Sequence, residues 1–135
     1  MILDLSSFIR NCTSLTTLDV SSWNTSSVTN FNAFAYGCTS LTTLDVSSWA
    51  TSSVTNFGNF AYNCHDLVVL NTTSWDTSSV TNCSYMCINC TSLISSFTDT
   101  LWWNRAIPIS TYIDCFKGAV NISNYSEIPN SWKGL

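Results

Sequence analysis

Apolar residues fall along this chain in a fixed order: leucine, leucine, valine, tryptophan, valine, phenylalanine, phenylalanine. They occupy Leu15, Leu18, Val20, Trp23, Val28, Phe31 and Phe34, and the series restarts 26 residues later at Leu41, Leu44, Val46, Trp49, Val54, Phe57 and Phe60. The segment from Cys12 to Trp23 recurs letter for letter from Cys38 to Trp49. Continuing to Gly37 and Asn63, the two blocks differ only at Asn24/Ala50, Asn32/Gly58, Ala33/Asn59 and Gly37/Asn63. A third copy starts at Cys64 and a looser fourth at Cys90. One supersecondary unit of this size cannot bury its apolar face alone, so the copies are expected to stack.

Within each copy the pattern changes period. Leu18 and Val20 alternate with Thr17, Asp19 and Ser21, the signature of a short half-buried strand. Val28, Phe31 and Phe34 then recur every three residues, which predicts a short helical or 3₁₀ turn on the opposite face. Thr25-Ser26-Ser27 between them reads as a capped turn, with hydroxyls accepting from nearby backbone N–H groups. The expected architecture is an α/β repeat: a short right-handed solenoid with parallel strands on one face and short helical turns or loops on the other. The chain is read as a single repeat domain over 1–135. It comprises a partial repeat 1–11, repeats 12–37, 38–63 and 64–89, an irregular repeat 90–118 and a C-terminal cap 119–135. Because the chain opens halfway through a repeat, its first coil should present an apolar edge for another subunit or domain to cover.

The phrase Leu-x-x-Leu-x-Val-x-x-Trp resembles the core of a leucine-rich repeat, with Trp where Asn or Cys is usual. More specifically, Cys-x-x-Leu-x-x-Leu-Asp-Val-Ser-x-Trp-x-Thr-Ser-x-Val-Thr-Asn-Phe-x-x-Phe, with the closing Ile128-Pro129-Asn130-Ser131-Trp132, resembles the BspA-like leucine-rich-repeat family. The resemblance covers nearly the whole chain and is weakest over 99–110. It implies a surface protein that adheres or binds a ligand without catalysis, and it carries over no binding residue.

Composition narrows the classes. Charged residues make up 9% of the chain, against roughly 25% in typical soluble domains, and Ser, Thr and Asn fill roughly four positions in ten. Such a surface suits an extracellular, cell-surface or virion-exposed protein. A net charge of -4 offers no basic stripe, which argues against nucleic acid as a partner. No apolar run approaches the roughly 18 residues that span a bilayer, so direct membrane insertion is not expected. The start, Met1-Ile2-Leu3-Asp4-Leu5, lacks the basic leader of a secretory signal. Display would then require a further segment, a carrier, or release by lysis.

Seven cysteines invite a metal or redox reading. Cys83-x3-Cys87-x2-Cys90 has the spacing of the iron–sulfur motif in radical enzymes, but these residues fall on core columns and the chain is too short for the barrel such enzymes need. Cys12, Cys38, Cys64 and Cys90 form one column, expected to be a buried ladder of reduced thiols that point the same way. Cys83 and Cys87 are the better candidates for a local bond with Cys64, Cys90 or each other. No cofactor or metal ligand set is expected, nor an enzyme: His65 beside Asp66 has no hydroxyl nucleophile in a recognisable motif.

The candidate binding surface is the outward row of the expected strand face: Thr17, Asp19, Ser21, Thr43, Asp45, Ser47, Val69, Asn71 and Thr73. Stacked carboxylates in this row either repel and raise a pKa or attract a cation, or else simply accept nearby hydroxyl and backbone donors. Trp23, Trp49 and Trp75 keep the register of the core columns and read as structural. Trp102 and Trp103 break that register and, near Phe97, form a candidate interaction patch. Asn-x-Ser/Thr occurs at Asn11, Asn24, Asn71, Asn82, Asn89, Asn121 and Asn124, as a chain this rich in Ser and Thr would give by chance. The expected function is a non-enzymatic, surface-displayed binding or adhesion module that recognises a protein or glycan. The alternative is a structural virion component, and ordering of ice by hydroxyl rows is a more distant one.

Overall fold

The computed structural model describes residues 2–95, 97 and 112–135. Successive copies lie on one another as coils, tied by backbone bonds that recur at the repeat interval. Thr42 donates to the carbonyl of Thr16 and Val68 to that of Thr42, while Phe31 donates to Asn56 and Phe57 to Asn82, all at 2.8–3.0 Å. Isolated parallel bridges mark two such rows, Thr17–Thr43–Val69 and Asp4–Asn30–Asn56–Asn82.

The α/β solenoid with parallel strands is not what forms. Among the described residues the coils meet through these single bridges rather than through strands, and the only helices are the 3₁₀ turn Tyr125–Glu127 and α1 (Asn130–Lys133). Local side-chain turns bend the chain beside each row. Two residues past each bridge of the first row, a side-chain oxygen accepts from the N–H two residues further on. Asp19 Oδ1 accepts from Ser21 N–H at 3.0 Å, Asp45 from Ser47 at 3.0 Å and Asn71 from Thr73 at 3.1 Å. Asn30, Asn56 and Asn82 make the same turn with the N–H groups of Asn32, Gly58 and Ser84, and there the intercoil bonds run on at alternate residues, Ala33 N–H donating to Gly58 and Ala35 to Phe60.

The expected helical turn fails for a different reason. Phe34 donates to Phe31 and Tyr36 to Ala33, as a 3₁₀ turn would, but Ala33 itself lies at φ 56. Its counterparts Ser7, Asn59 and Tyr85 also have positive φ, as do Asn11, Asn63 and Asn89 four residues further on. A left-handed residue costs an L-amino acid roughly 1–2 kcal/mol and ends any right-handed helix. Here it bends the chain through a corner. In the fourth coil the matching residues are Asp114 and Gly118, 29 positions after Tyr85 and Asn89 rather than 26.

The capped turn at Thr25 is also built differently. Asn24 Oδ1, not a hydroxyl, accepts from Ser26 N–H at 3.1 Å, and Asp76 does the same for Ser78 at 2.9 Å. Thr25 is buried instead and spans to the next coil, donating to the carbonyl of Ala50 at 3.0 Å and accepting from its N–H at 2.9 Å.

Inside this frame the apolar columns stack. Phe31 lies parallel to Phe57 with centroids 5.7 Å apart, and Phe34 to Phe60 at 5.5 Å. Trp49 covers Phe31 at 4.4 Å, and Trp75 covers Phe57 at the same distance. The Trp49 and Trp75 indole N–H groups donate to the carbonyls of Val20 and Val46 in the preceding coil. Cys38, Cys64 and Cys90 are buried, each thiol donating to the previous coil at Ile9, Ala35 and Ala61, at 2.9–3.0 Å. Cys12, expected in the same buried ladder, is exposed because no coil lies on its open side.

The C-terminal residues close the stack. Phe116 N–H donates to Trp132 at 2.9 Å, where regular coils would find the next coil's carbonyl. Trp132 stacks on Tyr112 at 4.5 Å, and α1 ends at Gly134 with φ 73, the left-handed conformation that glycine adopts at little cost. The opposite end is apolar: Ile2, Leu5, Phe8 and Trp23 line a cavity of about 330 Å³, with Ile2 and Phe8 more than half exposed.

Candidate functional site

The Thr17–Thr43–Val69 bridge row positions the candidate surface. The bridges hold one residue of each coil side by side, so the flanking corners repeat at the coil spacing of about 4.8 Å. Thr17, Thr43 and Val69 are exposed, as are Asp19, Asp45, Asn71, Ser21 and Thr73, while Ser47 is half-buried. The structure therefore brings nine of the expected surface residues onto one face. Trp102 and Trp103 lie outside the described residues.

Much of the polar chemistry of this face is turned inward. The Ser21 hydroxyl donates to Asp19 Oδ1 at 2.6 Å, Ser47 to Asp45 at 2.6 Å and Thr73 to Asn71 at 2.8 Å. Thr42 donates to the Thr16 carbonyl, and Ser48 and Ser74 donate to the carbonyls of Ser21 and Ser47. What points outward is the Thr17 and Thr43 side chains, the outer oxygen of each carboxylate, and an aliphatic step at Val68, Val69 and Ile94.

These bonds decide the electrostatics of the row. Mutual repulsion of Asp19 and Asp45 does raise the pKa of Asp45, but it is the smallest contribution. The Ser47 hydroxyl and then its backbone N–H hold Asp45 below the ordinary 3.8, and Ser21 does the same for Asp19. Asp4 is lowered likewise, first by the Ser6 hydroxyl and then by its N–H. Of the two possibilities left by the sequence, accepting local donors describes these groups. Among the described residues, no group of three or more His, Cys, Asp or Glu is placed to hold a metal ion.

A pH dependence follows. A carboxylate with a lower pKa folded than unfolded binds protons less readily in the folded state. Its stabilisation is complete above its unfolded pKa of about 4 and is lost as pH falls through the lower, folded value. The melting temperature should therefore be level from neutral pH down to about 5 and fall below about 4. A triple variant with Asn at Asp4, Asp19 and Asp45 should have a shallower acid limb, since Asn71 shows that an amide oxygen makes the same turn. Identical acid limbs in calorimetry would remove these corners from the account.

The sequence reading missed a second exposed row. Thr29, Thr55 and Thr81 are exposed, each hydroxyl donating to the backbone of the preceding coil at 3.1–3.2 Å, beside the half-buried Asn30, Asn56 and Asn82. The signal was present as Val-Thr-Asn in all three copies. The three-residue spacing of Val28, Phe31 and Phe34 places Thr29 and Asn30 inside an expected helical turn, which hides the row.

A third row stacks tyrosines. Tyr36 and Tyr62 lie 4.5 Å apart with rings 7° from parallel, and the Arg10 guanidinium covers Tyr36 at 4.6 Å. None of these rows contains a general acid or base paired with a nucleophile. No described helix is long and apolar enough to cross a membrane.

No curated protein and no solved structure matches this chain. A family profile does, over residues 1–127, and it is that of "Mycoplasma protein of unknown function, DUF285". This match corrects the BspA-like assignment, which rested on the repeat phrase and on the closing Ile128-Pro129-Asn130-Ser131-Trp132. With nearly its whole length covered by that profile, the chain belongs to the DUF285 family.

Proposed function

We propose that this chain is a non-enzymatic binding module, displayed on a cell or particle surface, that recognises a protein or glycan through its Thr17–Thr43–Val69 face. The observation that carries this reading is the recurrence of exposed Thr17, Thr43 and Val69 side by side from coil to coil, flanked by corners whose Ser47 and Ser74 hydroxyls are already bonded. A surface fixed in this way loses little conformational entropy when it is covered, which is what a preorganised recognition face requires. Its chemistry is hydroxyl, amide and aliphatic, suited to neutral hydrogen-bonding ligands such as sugars or exposed peptide backbone. The low charge and the net -4 are consistent with such partners rather than with nucleic acid.

The test is Thr43→Arg. Thr43 is exposed and joins the bridge through its backbone, so the substitution crowds the face without opening a corner. Asp45→Arg is less informative because it also removes the acceptor for Ser47. Wild-type protein is expected to be retained on a glycan array or on intact cells. Thr43→Arg should weaken retention by at least about tenfold, a loss near 1.4 kcal/mol, with an unchanged circular dichroism spectrum and melt. Equal retention of the two proteins, or no retention of the wild type on either probe, would overturn the reading.

A further inference from the structure

Cys83, Cys87, Cys90 and Cys115 meet in the core where the third copy joins the irregular one, and all four are buried. Register brings them together. The places of Cys83 and Cys115 are held one coil earlier by Phe57 and Met86, and one coil before that by Phe31 and Phe60, whose rings lie 6.1 Å apart. The place of Cys87 is held by Ala35 and Ala61, each closing a turn with the column cysteine: Cys38 N–H donates to Ala35, and Cys64 N–H to Ala61, both at 3.1 Å.

At Cys87 that alanine becomes a second thiol. The turn Cys87-Ile88-Asn89-Cys90 is closed by Cys90 N–H donating to Cys87 at 3.3 Å, with Asn89 at φ 58. Cys87 is the thiol neighbour of Cys90, whose S–H donates to the Ala61 carbonyl at 3.0 Å, and Cys115 has Cys83 and Cys87 as its thiol neighbours. The Cys87 N–H also donates to the Cys115 carbonyl at 2.8 Å, which fixes the fourth coil over this pair.

We propose that Cys87 and Cys90 form a disulfide site, closed while the chain folds by exchange with a low-molecular-weight disulfide. The ends of a four-residue turn lie within about 7 Å, Cα to Cα, which overlaps the span of about 4.4–6.8 Å that a disulfide bridges. The column thiols Cys38 and Cys64 have no such partner, because the residue that opens each of their turns is an alanine, Ala35 or Ala61. In the exchange, one cysteine thiolate attacks the small disulfide and releases one small thiol. The second cysteine, deprotonated, then displaces the other. The two protein thiols lose two hydrogens, and one small disulfide is reduced to two thiols.

Burial dictates when this happens. The neighbouring Cys87 thiol, then burial, holds the Cys90 thiol well above its ordinary pKa; burial, then the Cys83 thiol, does the same for Cys115. Once folded with its thiols reduced, the site has almost no thiolate and no route for an oxidant, so closure belongs to the open chain. The site does not depend on the binding reading above.

The experiment refolds the full chain from denaturant, once in a mixture of reduced and oxidised glutathione and once in excess reductant. Each sample is alkylated and its peptides are mapped by mass spectrometry. In glutathione, Cys87 and Cys90 should escape alkylation and share a peptide lighter by two hydrogens, with the other five cysteines alkylated. Cys90→Ala should lose that signature while its reduced form melts with a single transition. Seven alkylated thiols after oxidative refolding would overturn the proposal. So would a principal bond at Cys83–Cys115, or a bonded product without the circular dichroism of the reduced protein.

Discussion

Trp49→Ala is expected to lower the unfolding free energy by about 4 kcal/mol. Trp49 is 2% exposed and is enclosed by rings on every side. Phe31 is stacked on it at 4.4 Å, Trp23 and Trp75 lie parallel at 6.3 Å, and Phe34 meets it edge-on at 5.4 Å. Truncation removes the transfer energy of the indole and leaves a cavity between two coils, whose bridges prevent collapse. The lost ring pairs add about 0.5–1.5 kcal/mol each beyond area burial, to the extent that neighbours do not repack. Against a total stability of about 5–15 kcal/mol, the variant should be folded only at low temperature or low denaturant. Trp23→Ala should cost clearly less, because Trp23 is half-buried at the open end of the stack. Urea melts of the two variants test this. A Trp49→Ala loss below about 1 kcal/mol, or one no larger than that of Trp23→Ala, would mean that the indole column does not carry the stack.

Removing a whole copy should do less damage than removing one residue. Deleting residues 38–63 joins Gly37 to Cys64 and gives every remaining coil a neighbour of nearly the same face. Thr25 would reach the carbonyl of Asp76, as Thr51 does now at 3.1 Å. Trp75 would cover Phe31 as it now covers Phe57, and Asn30 would bridge to Asn82 as Asn56 does. Stability in a stack of this kind is close to a sum of coil and neighbour terms, so the shortened protein should melt cooperatively at a lower temperature. Deleting Thr43 alone leaves all the material but shifts Leu44 and Val46 by one place, turning buried side chains outward and Asp45 inward. That protein should be unfolded at room temperature. Circular dichroism and urea titration of the pair decide the matter: if both deletions unfold the chain, the coils are not interchangeable units.

Legibility differed from one feature to the next. The core columns could be read directly, since Leu41, Leu44, Val46, Val54, Phe57 and Phe60 are all buried at the places the periodicity assigns them. The strand could not. The alternation around Leu18 and Val20 is real, yet the chain turns at Asp19, whose Oδ1 accepts from Ser21 N–H, and the coils meet there at the single Thr17–Thr43 bridge. The helix could not be read either, because nothing in the letters of Ala33, Asn59 or Tyr85 announces a positive φ; alanine and tyrosine are poor choices for it, and packing against the neighbouring coils imposes it. The carboxylate row was found by its register, but whether Asp19 and Asp45 would repel, bind a cation or accept local donors depended on where the Ser21 and Ser47 hydroxyls turned.

By itself, then, the sequence determined a repeat of 26 residues, the set of side chains that must be buried together, and the low charge of what remains outside. These follow from period and solubility, which are properties of the order of residues along the chain. The tertiary structure decided how the backbone satisfies itself between those columns: corners closed by Asp and Asn oxygens, left-handed residues in place of helix, and single bridges in place of sheet. It also decided which thiols face one another. Side-chain acceptors and neighbouring coils take alternate N–H groups around each corner, and which group goes to which is fixed only once one coil lies on the next.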